Sequence, residues 1–171
     1  MSHAEQVKLI EEISNSLTDY FSNTKVLEIG SMDINGSVRR FFRDCDYVGV
    51  DLEEGPGVDH VAAGQVLDFP SDSFDVVFSC ECFEHNPYWR ETLANMVRMC
   101  RPGGLIIVSC GGLGRAEHGT ARSEPGNSPA TINQGWNYYG NISPRKLSKS
   151  IALNWWSDDW LWVLTIRTWI L

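Results

Sequence analysis

Short β-rich runs at residues 25–29, 47–50, 58–61, 75–79 and 105–109 alternate with segments of helical periodicity. Residues 37–43 place Val38, Phe41 and Phe42 on one side of a helical turn, and residues 89–100 repeat Leu93, Met96, Val97 and Cys100 at helical spacing. This alternation narrows the topology severely. A helix between two strands returns the chain to its starting edge, so successive strands run parallel, and a parallel sheet needs cover on both faces. The twist of the strands makes each crossover right-handed. The expected fold class is α/β, a doubly wound, mostly parallel sheet with helices on both faces. A leading helix is expected from Val7, Ile10, Ile13 and Leu17, ending around Asn23. The "RPGG" run at 101–104 is expected to stop the helix before the strand at 105–109.

A length of 171 residues fits one domain with a sizeable core. Its expected parts are a leading helix (1–24), a ligand-binding core (25–110), a lid or acceptor loop (111–143), and a C-terminal helix with edge strands (144–171). The stretch 111–143 breaks the alternation, because glycine, proline and small polar residues crowd it. A loop this long inside a domain is a functional lid or disordered. Residues 144–151 can form a short helix. The closing "WWSDDWLWVLTIRTWIL" reads as one or two buried strands, and its Trp155, Trp156, Trp160, Trp162 and Trp169 offer a surface for a homodimer.

The net charge of −8 argues against a nucleic-acid backbone as the main partner, since counterion release needs clustered Lys and Arg. No apolar run reaches the ~18 residues of a membrane span. The N-terminal "MSHAEQVKLIEEISNSL" reads as a polar amphipathic helix rather than a signal sequence, so a cytoplasmic chain is expected. Cys45, Cys80, Cys82, Cys100 and Cys110 read as reduced thiols. Cys80 and Cys82 form C-x-C with no second pair at zinc spacing, so no metal site is expected.

The most informative stretch is "VLEIGSMDINGSV", residues 26–38. It opens as a buried strand, carries the acid Glu28, and turns at Gly30. In a doubly wound sheet ligands sit beyond the carboxyl ends of the strands, so this turn is the expected floor of a site. Gly30 lets the chain turn sharply where a side chain would block a ligand. Gly36 can open a following helix whose free N–H groups suit an anion. A dinucleotide needs glycine at the motif's second position for backbone approach to the pyrophosphate, and that position is Met32 here, with Asn35 at the third. Asp51 ends the next strand, "YVGVDLEE", where a carboxylate accepts hydrogen bonds from ribose hydroxyls. An adenosine carrying an amino-acid tail in place of phosphates satisfies both observations, and S-adenosylmethionine is that molecule.

Later stretches extend the pattern. "LDFPSDSFDVVFSCECFEH" and "MVRMCRPGGLIIVS" follow in order, and with them the chain resembles the class I S-adenosylmethionine-dependent methyltransferases over residues 26–109. The resemblance implies a Rossmann-like sheet and S-adenosylmethionine as cofactor. It implies Glu28 and Gly30 beside the methionine moiety and Asp51 on the ribose. Ser31, Leu52, Gly64, Gln65 and Cys80 complete the expected cofactor-binding set. Met32 and Ile34 depart from the family's common glycines, and Ala63 stands where many relatives carry an acid near the adenine. Backbone groups of Gly64 and Gln65 are expected to supply that contact.

Methyl transfer is an in-line attack on a sulfonium-bound carbon, so the protein mainly positions the acceptor and excludes water. A base is needed only for a protonated acceptor. Cys80, Glu81, Glu84 and His85 leave the strand end facing the cofactor, and His85 is the one that titrates near neutral pH unperturbed. The lid adds Arg115, Glu117, His118, Tyr138, Tyr139 and Asn141, and its "GRAEHGT" and "WNYYGN" resemble methyltransferases of small polar or glycan acceptors. The expected catalytic set is His85, His118 and Tyr139. The expected function is methyl transfer from S-adenosylmethionine to a small polar or sugar-like acceptor. The alternative is a non-catalytic cofactor-binding module acting through a partner subunit.

Overall fold

The structure, a computed structural model, describes residues 4–143, 145–147 and, as backbone, 161–167. Six strands form one sheet: β1 (Lys25–Ile29), β2 (Asp46–Asp51), β3 (His60–Val61), β4 (Phe74–Cys80), β5 (Cys100–Gly111) and β6 (Leu161–Arg167). Their order is β3-β2-β1-β4-β5-β6, and every neighbouring pair is parallel. Successive side chains point to opposite faces of a strand, so each strand feeds two cores. On one face Val26, Val76, Phe78, Leu105 and Ile107 pack with Ile10 and Ile13 of helix α1 (Ala4–Ser16). On the other, Leu27, Ile29, Val77, Ile106 and Val108 pack with Leu93, Met96 and Val97 of α2 (Trp89–Met99). Helices therefore cover both faces, as the alternation requires. Among the described residues no helix is long and apolar enough to cross a membrane.

Several local expectations change. α1 ends at Ser16, and a 3-10 turn, Thr18–Tyr20, follows. Ser14 and Ser16 hydroxyls donate to the carbonyls of Glu11 and Glu12 at 2.8 Å each, a bond that competes with helix continuation. Asn23 instead takes a left-handed backbone (φ 55) that feeds β1. Residues 37–43 form no α-helix, only a 3-10 turn at Arg39–Phe41. Phe42 stacks at 4.5 Å on Phe21 and 5.3 Å on Phe78, so an aromatic wedge covers the sheet where a helix was expected. Gly36 opens no helix, and its N–H donates to Asp33 Oδ1 at 2.6 Å. "RPGG" does not cap α2: the chain is already extended at Cys100, and the run forms the irregular start of β5. Of the expected helix at 144–151, residues 145–147 are helical and the rest lies outside the described residues. Trp155, Trp156, Trp160, Trp169 and the side chain of Trp162 also lie outside them, and with them the expected dimer surface.

Candidate active site

The strand order reverses between β1 and β4, so their outgoing connections leave to opposite sides and open a crevice at the carboxyl ends. A cleft of about 640 Å³, counting its open mouth, lies there. Its floor is the turn after β1. Gly30 has φ +84, and the N–H groups of Gly30 and Ser31 both donate to the Val50 carbonyl, at 2.9 and 3.1 Å. The turn thus folds over the end of β2 and meets Asp51. Met32 N–H donates to Asp51 Oδ2 at 2.9 Å, and Leu52 N–H to Oδ1 at 2.7 Å. Burial raises the Asp51 pKa, and these two N–H donors oppose the rise. Met32 acts through its backbone here. Its side chain walls the cleft and packs over Gly55, which explains why the turn tolerates methionine where a phosphate-binding loop has glycine.

Of the expected cofactor-binding residues, Gly30, Asp51, Leu52 and Gly64 line this cleft with apolar Ile29, Val50 and Ala62. Glu28, Ser31 and Cys80 line a smaller pocket of about 260 Å³, counting its open mouth, on the other side of the turn, which Gly30 and Met32 also border. Gln65 lines neither, because it sits in the 3-10 turn Gly64–Val66 with only Gly64 facing the cleft. Cys80 is fully desolvated, and burial holds its thiol up at about 12, so it carries no charge.

Glu28 is buried and accepts a hydrogen bond from the Tyr47 hydroxyl. Burial pushes its pKa up to about 7, with the Tyr47 bond opposing. The folded state therefore holds this proton more tightly than the unfolded chain, whose carboxyl titrates near 4.5. The stability it contributes is full below about 4.5 and falls as pH rises toward about 7. Glu28→Gln should consequently gain on the parent by roughly 1–3 kcal/mol between pH 5 and pH 8. Urea unfolding of both proteins at the two pH values checks this, and an unchanged difference would contradict it.

The opposite wall comes from the loop after β4. Glu81 has a left-handed backbone (φ 52), a costly conformation for a non-glycine residue that clusters at functional sites. Its carboxylate pairs with Arg115 of the lid at 3.2 Å. Cys82, His85 and Asn86 line the cleft. Asn86 is locked in place: its side-chain oxygen accepts from Tyr88 N–H at 2.7 Å, and its amide donates to Thr92 Oγ1 at 2.9 Å. Glu84 is 0% exposed, and neither carboxylate oxygen has a hydrogen-bond partner among the described residues. Burial, and then Glu81, raise its pKa to about 8. His85 does not titrate near neutrality as expected from its ordinary value. Burial, and then His118, pull its pKa down to about 3, so the ring stays neutral and accepts protons poorly.

The segment 111–143 reaches the same mouth. Asn127, Ser128 and Trp136 line the cleft together with Pro129, Ala130 and Thr131 of the short helix α3 (Pro129–Asn133). Gly140 N–H donates to the Glu84 carbonyl at 2.8 Å, and Ile142 N–H to the Gly111 carbonyl at 3.0 Å, which ties the end of the lid to its base. His118 and Tyr139 do not line the cleft. They lie behind His85, with ring centroids 4.9 and 5.5 Å from it. Sequence reasoning missed Cys82, Asn86, Ala62 and Trp136. Cys82 lies between the two acids of "ECFEHN" and Asn86 closes that stretch, so the strand-end position signals them; nothing in the sequence signals Trp136.

Residues 27–108 match a family model described as a methyltransferase domain. The phthiotriol/phenolphthiotriol dimycocerosates methyltransferase 1 of Mycobacterium ulcerans (strain Agy99) is 31% identical over 102 residues, which is 52% of this chain and 38% of that protein. Its Mycobacterium tuberculosis (strain ATCC 25618 / H37Rv) counterpart is 33% identical over 96 residues, 48% of this chain and 36% of that protein. The chain thus spans well under half the length of these relatives. Among solved structures, a Burkholderia thailandensis 1,6-didemethyltoxoflavin-N1-methyltransferase, with 1,6-didemethyltoxoflavin and S-adenosylhomocysteine bound, matches at TM-score 0.59 and 18% identity. The match covers 85% of this chain and 65% of that one. Haemonchus contortus phosphoethanolamine N-methyltransferase 2, in complex with S-adenosyl-L-methionine, matches at TM-score 0.55 and 19% identity, covering 86% of this chain and 40% of that one. These structures share the fold.

Proposed function

We propose that this chain, which belongs to the class I S-adenosylmethionine-dependent methyltransferase family, binds S-adenosylmethionine at the β1 turn and transfers its methyl group to a small polar or sugar-like acceptor. The observation that carries the reading is Asp51. A carboxylate held by two backbone N–H groups at the end of β2, facing a mostly apolar cleft, suits a pair of ribose hydroxyls. Ile29, Val50, Ala62 and Gly64 supply an apolar slot for a base. Glu28 and Ser31, across the Gly30 turn, suit the polar amino-acid end.

When bound, the cofactor supplies an activated methyl group, and the protein's part is to hold the acceptor in line and keep water out. The lid does the covering through α3 and Trp136. His85 presents to the cleft a neutral ring suited to orienting an acceptor rather than stripping its proton, and His118 and Tyr139 pack behind it. The mycobacterial relatives act on lipids by name, yet the family match ends at residue 108, before the lid. The Glu81–Arg115 pair, of which Glu81 lines the cleft, favours a polar acceptor.

Asp51→Ala should weaken binding of S-adenosylmethionine or S-adenosylhomocysteine by roughly 1–3 kcal/mol, the cost of ligand hydroxyls left unpaired. Titration calorimetry on parent and variant measures it. Heat with NAD and none with either adenosyl ligand would sink the reading.

A further inference from the structure

We infer that Glu84, His85 and His118 form a binding site for one divalent transition cation. One ligand atom from each residue lies within 4.8 Å of the others, and all three side chains are buried. The cluster is unsatisfied as it stands. Both Glu84 oxygens, His85 Nδ1 and the Tyr139 hydroxyl are buried with no hydrogen-bond partner among the described residues. Unpartnered buried polar groups are rare because each loses its hydration without return, and a carboxylate loses most. The Glu84 carboxylate and His85 Nδ1 meeting at one point call for a shared partner, and a cation serves a carboxylate and an imidazole lone pair together.

The surroundings hold the ligands in place. His118 Nδ1 lies 3.1 Å from the Ala116 carbonyl, so a proton on Nδ1 donates there and leaves Nε2 bare. The Gly119 backbone (φ +63) packs on the His85 ring, where a Cβ would come within 2.6 Å of Cε1. Gly111 leaves room between the Tyr139 hydroxyl and Glu84 Oε1, which a Cβ would meet at 3.2 and 3.3 Å. One carboxylate with two imidazoles suits Zn²⁺, Fe²⁺, Co²⁺ or Mn²⁺ rather than Ca²⁺ or Mg²⁺. Three protein ligands leave a position for water or an acceptor oxygen, and His85 also borders the cleft. The adjacent Glu81 adds negative charge, and Arg115 is paired with it. The expectation of no metal rested on cysteine spacing; here the third ligand comes from the lid, far along the chain. The site rests on this cluster and is independent of the methyl-transfer reading.

The test uses full-length, tag-free protein stripped with a chelator and titrated with Co²⁺, read by its visible ligand-field absorption, with Zn²⁺ as competitor. One equivalent of Co²⁺ should bind and Zn²⁺ should displace it. Glu84→Gln and His118→Asn should each weaken binding at least tenfold, whereas His60→Ala, at an exposed histidine on β3, should leave it unchanged. Circular dichroism verifies that each variant is folded, and His85→Asn replaces either one that is not. Absence of Co²⁺ binding to the folded parent overturns the inference. So does equal affinity in the folded site variants.

Discussion

Gly30→Val should abolish binding of S-adenosylhomocysteine and lower stability as well. The first cost is conformational. Gly30 sits at φ +84, where a β-branched residue is forced into a strained backbone costing about 1–3 kcal/mol. The second is steric, and its origin differs from the sequence expectation. The glycine was expected to keep ligand space clear. The atoms that a Cβ would meet are the chain's own: Cys82 Cβ at 2.8 Å and Cys82 Sγ at 2.9 Å. Cys82 lines the cleft from the opposite wall, so a side chain at Gly30 separates the ends of β1 and β4 and spoils both walls at once. Cys82→Gly should return part of the stability lost in Gly30→Ala, because it removes the clash and leaves the backbone strain. Calorimetry with S-adenosylhomocysteine and urea unfolding of the single and double variants separate the two costs. A folded Gly30→Val protein with parental affinity would remove the β1 turn from the site.

The sheet was legible because its strands are long, apolar and evenly spaced, and because alternation with helices leaves few topologies. Glu28, Gly30 and Asp51 stood out because strand ends and turns restrict residue type. What sequence missed depends on neighbours. Phe42 reads as one more apolar residue on a helical face, yet its stack between Phe21 and Phe78 removes the need for a helix at 37–43. Periodicity cannot distinguish those solutions. Glu28 and Cys80 lie at the ends of β1 and β4, but the pleat turns their side chains to the pocket behind the turn. His85 has the residue type of a base and the environment of a neutral ligand, since burial beside His118 controls its proton. The segment 111–143 was visible as a break in pattern. Its pairing of Arg115 with Glu81, and of His118 with His85, joins positions that no local signal connects.

Trp89→Ala should cost about 3–5 kcal/mol, the usual loss when a buried aromatic leaves a cavity in a packed core. Trp89 is 1% exposed and opens α2, immediately after the loop that carries Glu84 and His85. Its ring lies 6.3 Å from Phe83, the residue before Glu84, and it belongs to the core cluster that seats α2 on the sheet. Arg90 and Lys146 cover the ring at 4.4 and 5.6 Å, which adds cation–π attraction that alanine also forfeits. Because Phe83 and Trp89 bracket the loop 84–88, the substitution should loosen the side chains that face the cleft as well as the core. Two readouts follow. Urea unfolding should show the stability loss, with Trp89→Phe recovering most of it by refilling the volume. Affinity for S-adenosylhomocysteine, measured where the variant is still folded, should fall less than in Asp51→Ala, because Trp89 acts on the ligand only through the loop. A stability loss below about 1 kcal/mol would mean that α2 seats on the sheet without this anchor, and that the loop is held by the Asn86–Thr92 bond and the lid instead.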